Sequence, residues 1–139
     1  MQKSLQLNPE NKVAKQNLPM VKQAFDRKLQ AMKREQSQDP QHYYELGNLF
    51  VEQANYKDAL HSFDMAVKLK PDFTDALVNI GNCYYMLKDY NAAIKAFEAV
   101  LAVEPNSQIA FKNLSTLYGM LGNNEMQLFY NKKIEGVNK

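Results

Sequence analysis

The sequence predicts an all-α fold of antiparallel helix-turn-helix units stacked one on the next, and three observations predict it. A pattern recurs after 34 residues: Leu46-Gly47, Phe50, Tyr56, Ala59, Phe63 and Pro71 return as Ile80-Gly81, Tyr84, Tyr90, Ala93, Phe97 and Pro105. A third copy begins at the same offset, with Phe111, Leu114 and Tyr118 in the places of Leu77, Ile80 and Tyr84. Within a copy the apolar spacing is helical, since Tyr43, Leu46 and Phe50 fall at i, i+3 and i+7. A fixed period of this length marks helical hairpins, each too small to bury its own apolar face without a neighbour.

The residue types have physical reasons. Gly47 and Gly81 remove a side chain where the first helix of a pair must let the second approach. Ala59 and Ala93 do the same from the second helix, without the roughly 1 kcal/mol helix penalty of glycine. Phe50, Phe63, Tyr84 and Phe97 fill the space between helices, each burying on the order of 150–250 Å². Pro71 and Pro105 stop the second helices, because proline cannot continue a helix and pushes the preceding residue toward extended geometry. Asp39-Pro40 reads as an N-cap followed by proline in the first helical position.

These residues resemble the tetratricopeptide repeat. With Pro40 in first place, Tyr43, Leu46-Gly47, Phe50, Ala59, Phe63, Ala66 and Pro71 occupy the characteristic positions. The unit from Thr74 matches with Leu77, Ile80-Gly81, Tyr84, Ala93, Phe97, Val100 and Pro105. The resemblance implies units at 40–73 and 74–107, a degenerate unit at 108–139, and a right-handed superhelix.

Residues 1–36 are expected to hold the end of an earlier repeat followed by a long amphipathic capping or bridging helix. Leu5 to Asn11 echo Leu101 to Asn106, and Val13-Ala14-Lys15-Gln16-Asn17-Leu18 echo Ile109-Ala110-Phe111-Lys112-Asn113-Leu114, so the chain reads as opening partway through a repeat. Beyond this point Pro19 stands in place of the glycine and Lys22 in place of the aromatic. One long or kinked helix ending near Gln36 is expected; Pro19 either follows a new cap at Asn17 or kinks it. Its apolar stripe is Leu18, Val21, Phe25, Leu29 and Met32. The last three sit twentieth, twenty-fourth and twenty-seventh counting back from Pro40 and would face the first helix of that unit.

In the last copy Ser115 replaces the glycine, Gln127 the alanine and Asn131 the second aromatic. These read as polar residues on a face that no further repeat covers, with Leu128 and Phe129 supplying the remaining packing and Gly136 a helix C-cap.

Composition and charge narrow the function. No apolar run reaches the roughly 18 residues of a membrane span, no signal peptide is visible, and a complete chain would be expected in the cytoplasm. Residues 1–36 carry eight Lys/Arg against three Asp/Glu, a net of +5, and residues 37–139 carry nine against twelve, a net of −3. The basic stretch lacks interleaved aromatics to stack on bases, so nucleic-acid binding is not expected. His42 and His61 have no metal-ligand spacing, no phosphate loop exists, and Cys83 reads as a small buried apolar residue. No enzyme activity, metal or cofactor is expected.

What the resemblance implies is a protein-interaction scaffold or adaptor. The groove positions of this repeat fall here on Tyr44, Asn48, Val51, Val78, Asn82, Tyr85, Met86, Lys112 and Thr116, with Gln41, Glu52, Asp75, Ile109, Gly119 and Met120 beside them. Some family members grip a peptide's terminal carboxylate at the fifth and ninth places. This chain matches at Asn48, Asn82 and Lys112 but has Tyr44 and Thr116 where cations are needed, so a full carboxylate clamp is not expected. The expected partner is a partly apolar peptide or amphipathic helix, with Asn48 and Asn82 on its backbone and Tyr44 and Tyr85 against its side chains. Two alternatives are a homodimer built through the N-terminal helix and a regulatory or targeting arm of a larger protein.

Overall fold

In the computed structural model, the backbone is described for residues 9–34 and 37–138 and the side chains for 22–34 and 37–134. Seven helices and no strands occur among them: α1 (Pro9–Arg34), α2 (Pro40–Glu52), α3 (Tyr56–Leu69), α4 (Thr74–Met86), α5 (Tyr90–Val103), α6 (Gln108–Met120) and α7 (Asn124–Asn138). Two compact units result, Met1–Gln36 and Ser37–Lys139.

In the first unit, α1 is a single helix through Pro19, so Asn17 does not cap a new turn. The loss of one N–H leaves the rest of a 26-residue ladder in place. Leu29 is buried, Phe25 and Met32 are half-buried, and Lys22, Arg27, Lys28, Lys33 and Arg34 are exposed, which is the expected stripe. The side chains of Leu18 and Val21, and all of Gln36, lie outside the described residues.

The second unit is three helical hairpins, α2–α3, α4–α5 and α6–α7, and each hairpin's second helix packs on the first helix of the next. Capping sets the starts. Asp39 accepts from the Gln41 N–H at 3.0 Å with Pro40 at the first position, as the sequence predicts. Asp89, Ser107 and Asn123 cap α5, α6 and α7 through the N–H groups of Ala92, Ala110 and Met126. Helices α3 and α5 stop at Leu69 and Val103, two residues before Pro71 and Pro105.

The turns inside the hairpins share one device. Ala54, Lys88 and Gly122, spaced 34 apart, all take positive φ, at 57°, 64° and 76°. The next residue's N–H reaches back to Phe50, Tyr84 or Tyr118, closing the first helix with a left-handed cap.

Packing follows the period. A β-carbon on Gly47 would lie 2.5 Å from the ring of Phe63, and one on Gly81 would lie 2.6 Å from that of Phe97. Both rings are fully buried, as are Ala59, Ala66, Ala93 and Val100. The last hairpin differs from expectation. Ser115 is buried and donates to Asn131 at 2.6 Å across the hairpin, while Asn131 itself stays exposed and Gln127 is half-buried. Leu128 and Phe129 supply no core; they are 55% and 47% exposed. Tyr130 takes over, stacked on Tyr118 at 5.9 Å and against Phe111 at 6.2 Å. Helix α7 runs through Gly136 to Asn138, so Gly136 is not a cap.

Candidate functional site

The first helices α2, α4 and α6 carry the predicted groove residues, and each stays open to some degree because no second helix covers it. Met86, Ile109 and Met120 are 53%, 55% and 47% exposed, and Tyr85 is exposed beside them with its ring 5.7 Å from that of Tyr90. Asn82, Lys112 and Thr116 are exposed, while Tyr44, Asn48, Val51 and Val78 are half-buried.

The two ends of this face differ. On α2 the residues are engaged within the protein: the ring of Tyr44 lies 5.0 Å from Phe73 and 5.9 Å from Phe63. Asn48 accepts a hydrogen bond from Asn79 at 3.0 Å, linking α2 to α4. The equivalent pair one repeat on does not form. Asn113 donates instead to the carbonyl of Ile109 at 2.8 Å, and Asn82 has no hydrogen-bond partner among the described residues. The Thr116 hydroxyl is given to the carbonyl of Lys112 at 3.0 Å, and no carboxylate lies within salt-bridge distance of the Lys112 ammonium among the described residues. Asn79 and its bond are what sequence reasoning missed, although the recurrence of Asn113 at the same place was visible.

Between α2 and α4 a cleft of about 240 Å³ opens on this face. Val51, Tyr56 and Met86 form its apolar walls and Cys83 its floor, with the amides of Asn48, Asn79 and Asn82 around it. Burial pushes the Cys83 thiol up to about 11, so the floor is uncharged at neutral pH. No residue lining the cleft is charged. The arrangement can hold an apolar group and hydrogen-bond a peptide backbone; it has no nucleophile and base in reach of one another. Among the described residues no three His, Cys, Asp or Glu side chains gather as a metal site, and no helix is long and apolar enough to cross a membrane.

Comparison with known proteins agrees with this architecture. The family model described as tetratricopeptide repeat matches residues 44–118, more than half of the chain. Among solved structures, MamA superposes with a TM-score of 0.76 at 20% identity, over 96% of this chain and 82% of that one. YrrB, described as a TPR protein with an unusual peptide-binding site, superposes with a TM-score of 0.69 at 26% identity, over 85% of this chain and 62% of that one. No curated protein matches the sequence closely enough to count as a relative.

Proposed function

The chain belongs to the tetratricopeptide repeat family, and on that premise we propose that it is a non-catalytic adaptor whose first helices form a groove for a partly apolar peptide or helix. One observation carries the reading: Met86, exposed, and Asn82, whose side-chain amide has no partner among the described residues, line one cleft with Asn48, Val51 and Asn79. Apolar side chains supply the burial on binding, and the amide satisfies a peptide group that would otherwise be desolvated. YrrB, of the same fold, has a peptide-binding site by its description, which supports a peptide as the ligand class. The remaining groove residues, Tyr44, Asn48, Val51, Val78, Lys112 and Thr116, frame the site. Residues 1–36 are read as the end of an earlier repeat with a capping helix, on the spacing of Phe25, Leu29 and Met32.

The test is affinity capture from the native lysate with the full chain and with an Asn82→Ala, Met86→Ala, Lys112→Ala variant of equal helicity by circular dichroism. A protein held by the first and lost by the second supports the groove; identical capture by both contradicts it.

A second reading, self-association, is favoured by α7. Leu128 stands 34 residues after Ile94; Ile94 is 6% exposed and Leu128 is 55% exposed. Light scattering at high concentration decides it, since a strict monomer rules it out.

A further inference from the structure

Helix α7 carries an exposed stripe that lies outside the groove. Glu125, Leu128, Phe129 and Lys132 follow at i, i+3, i+4 and i+7, so they share about 100° of the helix surface. All four are exposed, the two apolar ones to 55% and 47%. Phe129 is edge-on to Tyr130 at 5.0 Å, with the Lys133 ammonium 5.3 Å from its ring centre. Glu125 and Lys132 have no hydrogen-bond or ion-pair partner among the described residues.

A further hairpin stacked on α7 does not account for this stripe. Helices α3 and α5 are each followed by a hairpin, and the places that match Phe129 there hold His61 and Lys95, both exposed. Stacking therefore leaves this place in solvent, and α7 alone fills it with an aromatic ring. An occupant that covers Leu128 and Phe129 together has to lie along α7 itself.

Charge chooses that occupant. The stripe is acidic toward the N-terminus of α7 and basic toward its C-terminus, with the two apolar side chains midway. Glu125 and Lys132 stand equally far from the midpoint, about 5 Å along the helix axis. Turned end for end, the stripe is complementary to itself: Leu128 meets Phe129 and Glu125 meets Lys132, each contact made twice. A two-fold axis is the symmetry that uses one patch on both subunits.

We propose that two copies of this chain pair antiparallel through α7, about a two-fold axis passing between Leu128 and Phe129. This rests on the self-association reading above and names the surface and register of the contact. One helix per subunit buries less than the roughly 1,200 Å² of a standard interface, so the dimer is a weak one.

Sedimentation equilibrium of the full chain over a concentration series reads the association. Phe129→Lys, Glu125→Lys and Lys132→Glu are compared with it once circular dichroism has shown equal helicity. All three places are exposed, and α5 itself carries lysine where Phe129 stands. The expected result is a monomer–dimer equilibrium that Phe129→Lys weakens about tenfold or more. Each charge variant alone should weaken it about fivefold to tenfold, because like charges then meet in both contacts. Mixing the Glu125→Lys and Lys132→Glu chains should restore pairing as a heterodimer, since both contacts become attractive again. Charge variants that pair unchanged, a mixture that does not recover, or growth beyond a dimer overturns the two-fold register. Association that ignores Phe129→Lys as well overturns α7 as the surface while self-association stands. A strict monomer at the highest concentration overturns both.

Discussion

The hydroxyl of Ser115 donates to the side-chain oxygen of Asn131 at 2.6 Å, at the two places that hold Gly47 and Phe63, and then Gly81 and Phe97, in the preceding hairpins. One contact has two chemical solutions here: a ring packed on bare backbone, or a hydrogen bond between two small polar side chains. The two are not interchangeable piecemeal. Asn131→Phe alone should destabilise, because a ring in this place meets the β-carbon of Ser115. Ser115→Gly alone loses the bond, and the double replacement should recover stability. A double-mutant cycle in urea should show a coupling of about 1 kcal/mol or more.

Gly47→Ala and Gly81→Ala should each destabilise by about 1–3 kcal/mol, despite alanine's better helix propensity. The added methyl would lie within 2.5–2.6 Å of Phe63 or Phe97, rings with no exposed side toward which to move. Thermal unfolding checks this.

Ala54→Gly and Lys88→Gly should stabilise, by about 0.5–1 kcal/mol each, since both residues hold the left-handed conformation that glycine accepts without strain. Gly122→Ala at the same place should cost a similar amount, although its surroundings are open. Urea midpoints at constant m-value provide the comparison.

Stability should fall as pH rises from about 9 toward 11. The Cys83 thiol is raised by burial from 9.0 to about 11, so the folded chain keeps a proton that the unfolded chain releases. Its contribution is complete below pH 9 and is lost through that window, amounting to about 2–3 kcal/mol. Burial, with Glu98 nearby, raises Tyr118 too. Tyr130 is raised by burial, then by Tyr118 and Glu98, so both tyrosines act in the same direction. Cys83→Ala should flatten the profile in this range, which equilibrium unfolding across pH would reveal.

Much of the fold was legible because the period places the same packing problem at the same positions: glycine against ring, a buried alanine on the second helix, proline past the helix end. What stayed hidden was chemistry that breaks register or identity. The left-handed turn shows as glycine only at Gly122; Ala54 and Lys88 conceal it. Tyr130 lies one residue off the aromatic place, so Asn131 looked like a loss when the ring had moved next door. Exposure of Leu128 and Phe129 is a matter of tertiary packing around α7, which local pattern does not encode. The candidate groove residues were named by position, but the Asn48–Asn79 bond that ties α2 to α4 required coordinates.

The most direct test of the central claim is a backbone-amide NMR titration of the full chain with a peptide from a protein that affinity capture retains. The groove account predicts that the shifted resonances cluster on α2, α4 and α6, centred on Asn82, Met86 and Lys112. Shifts confined to α3, α5 and α7 would contradict it, and the exposed face around Leu128 would become the site of interaction.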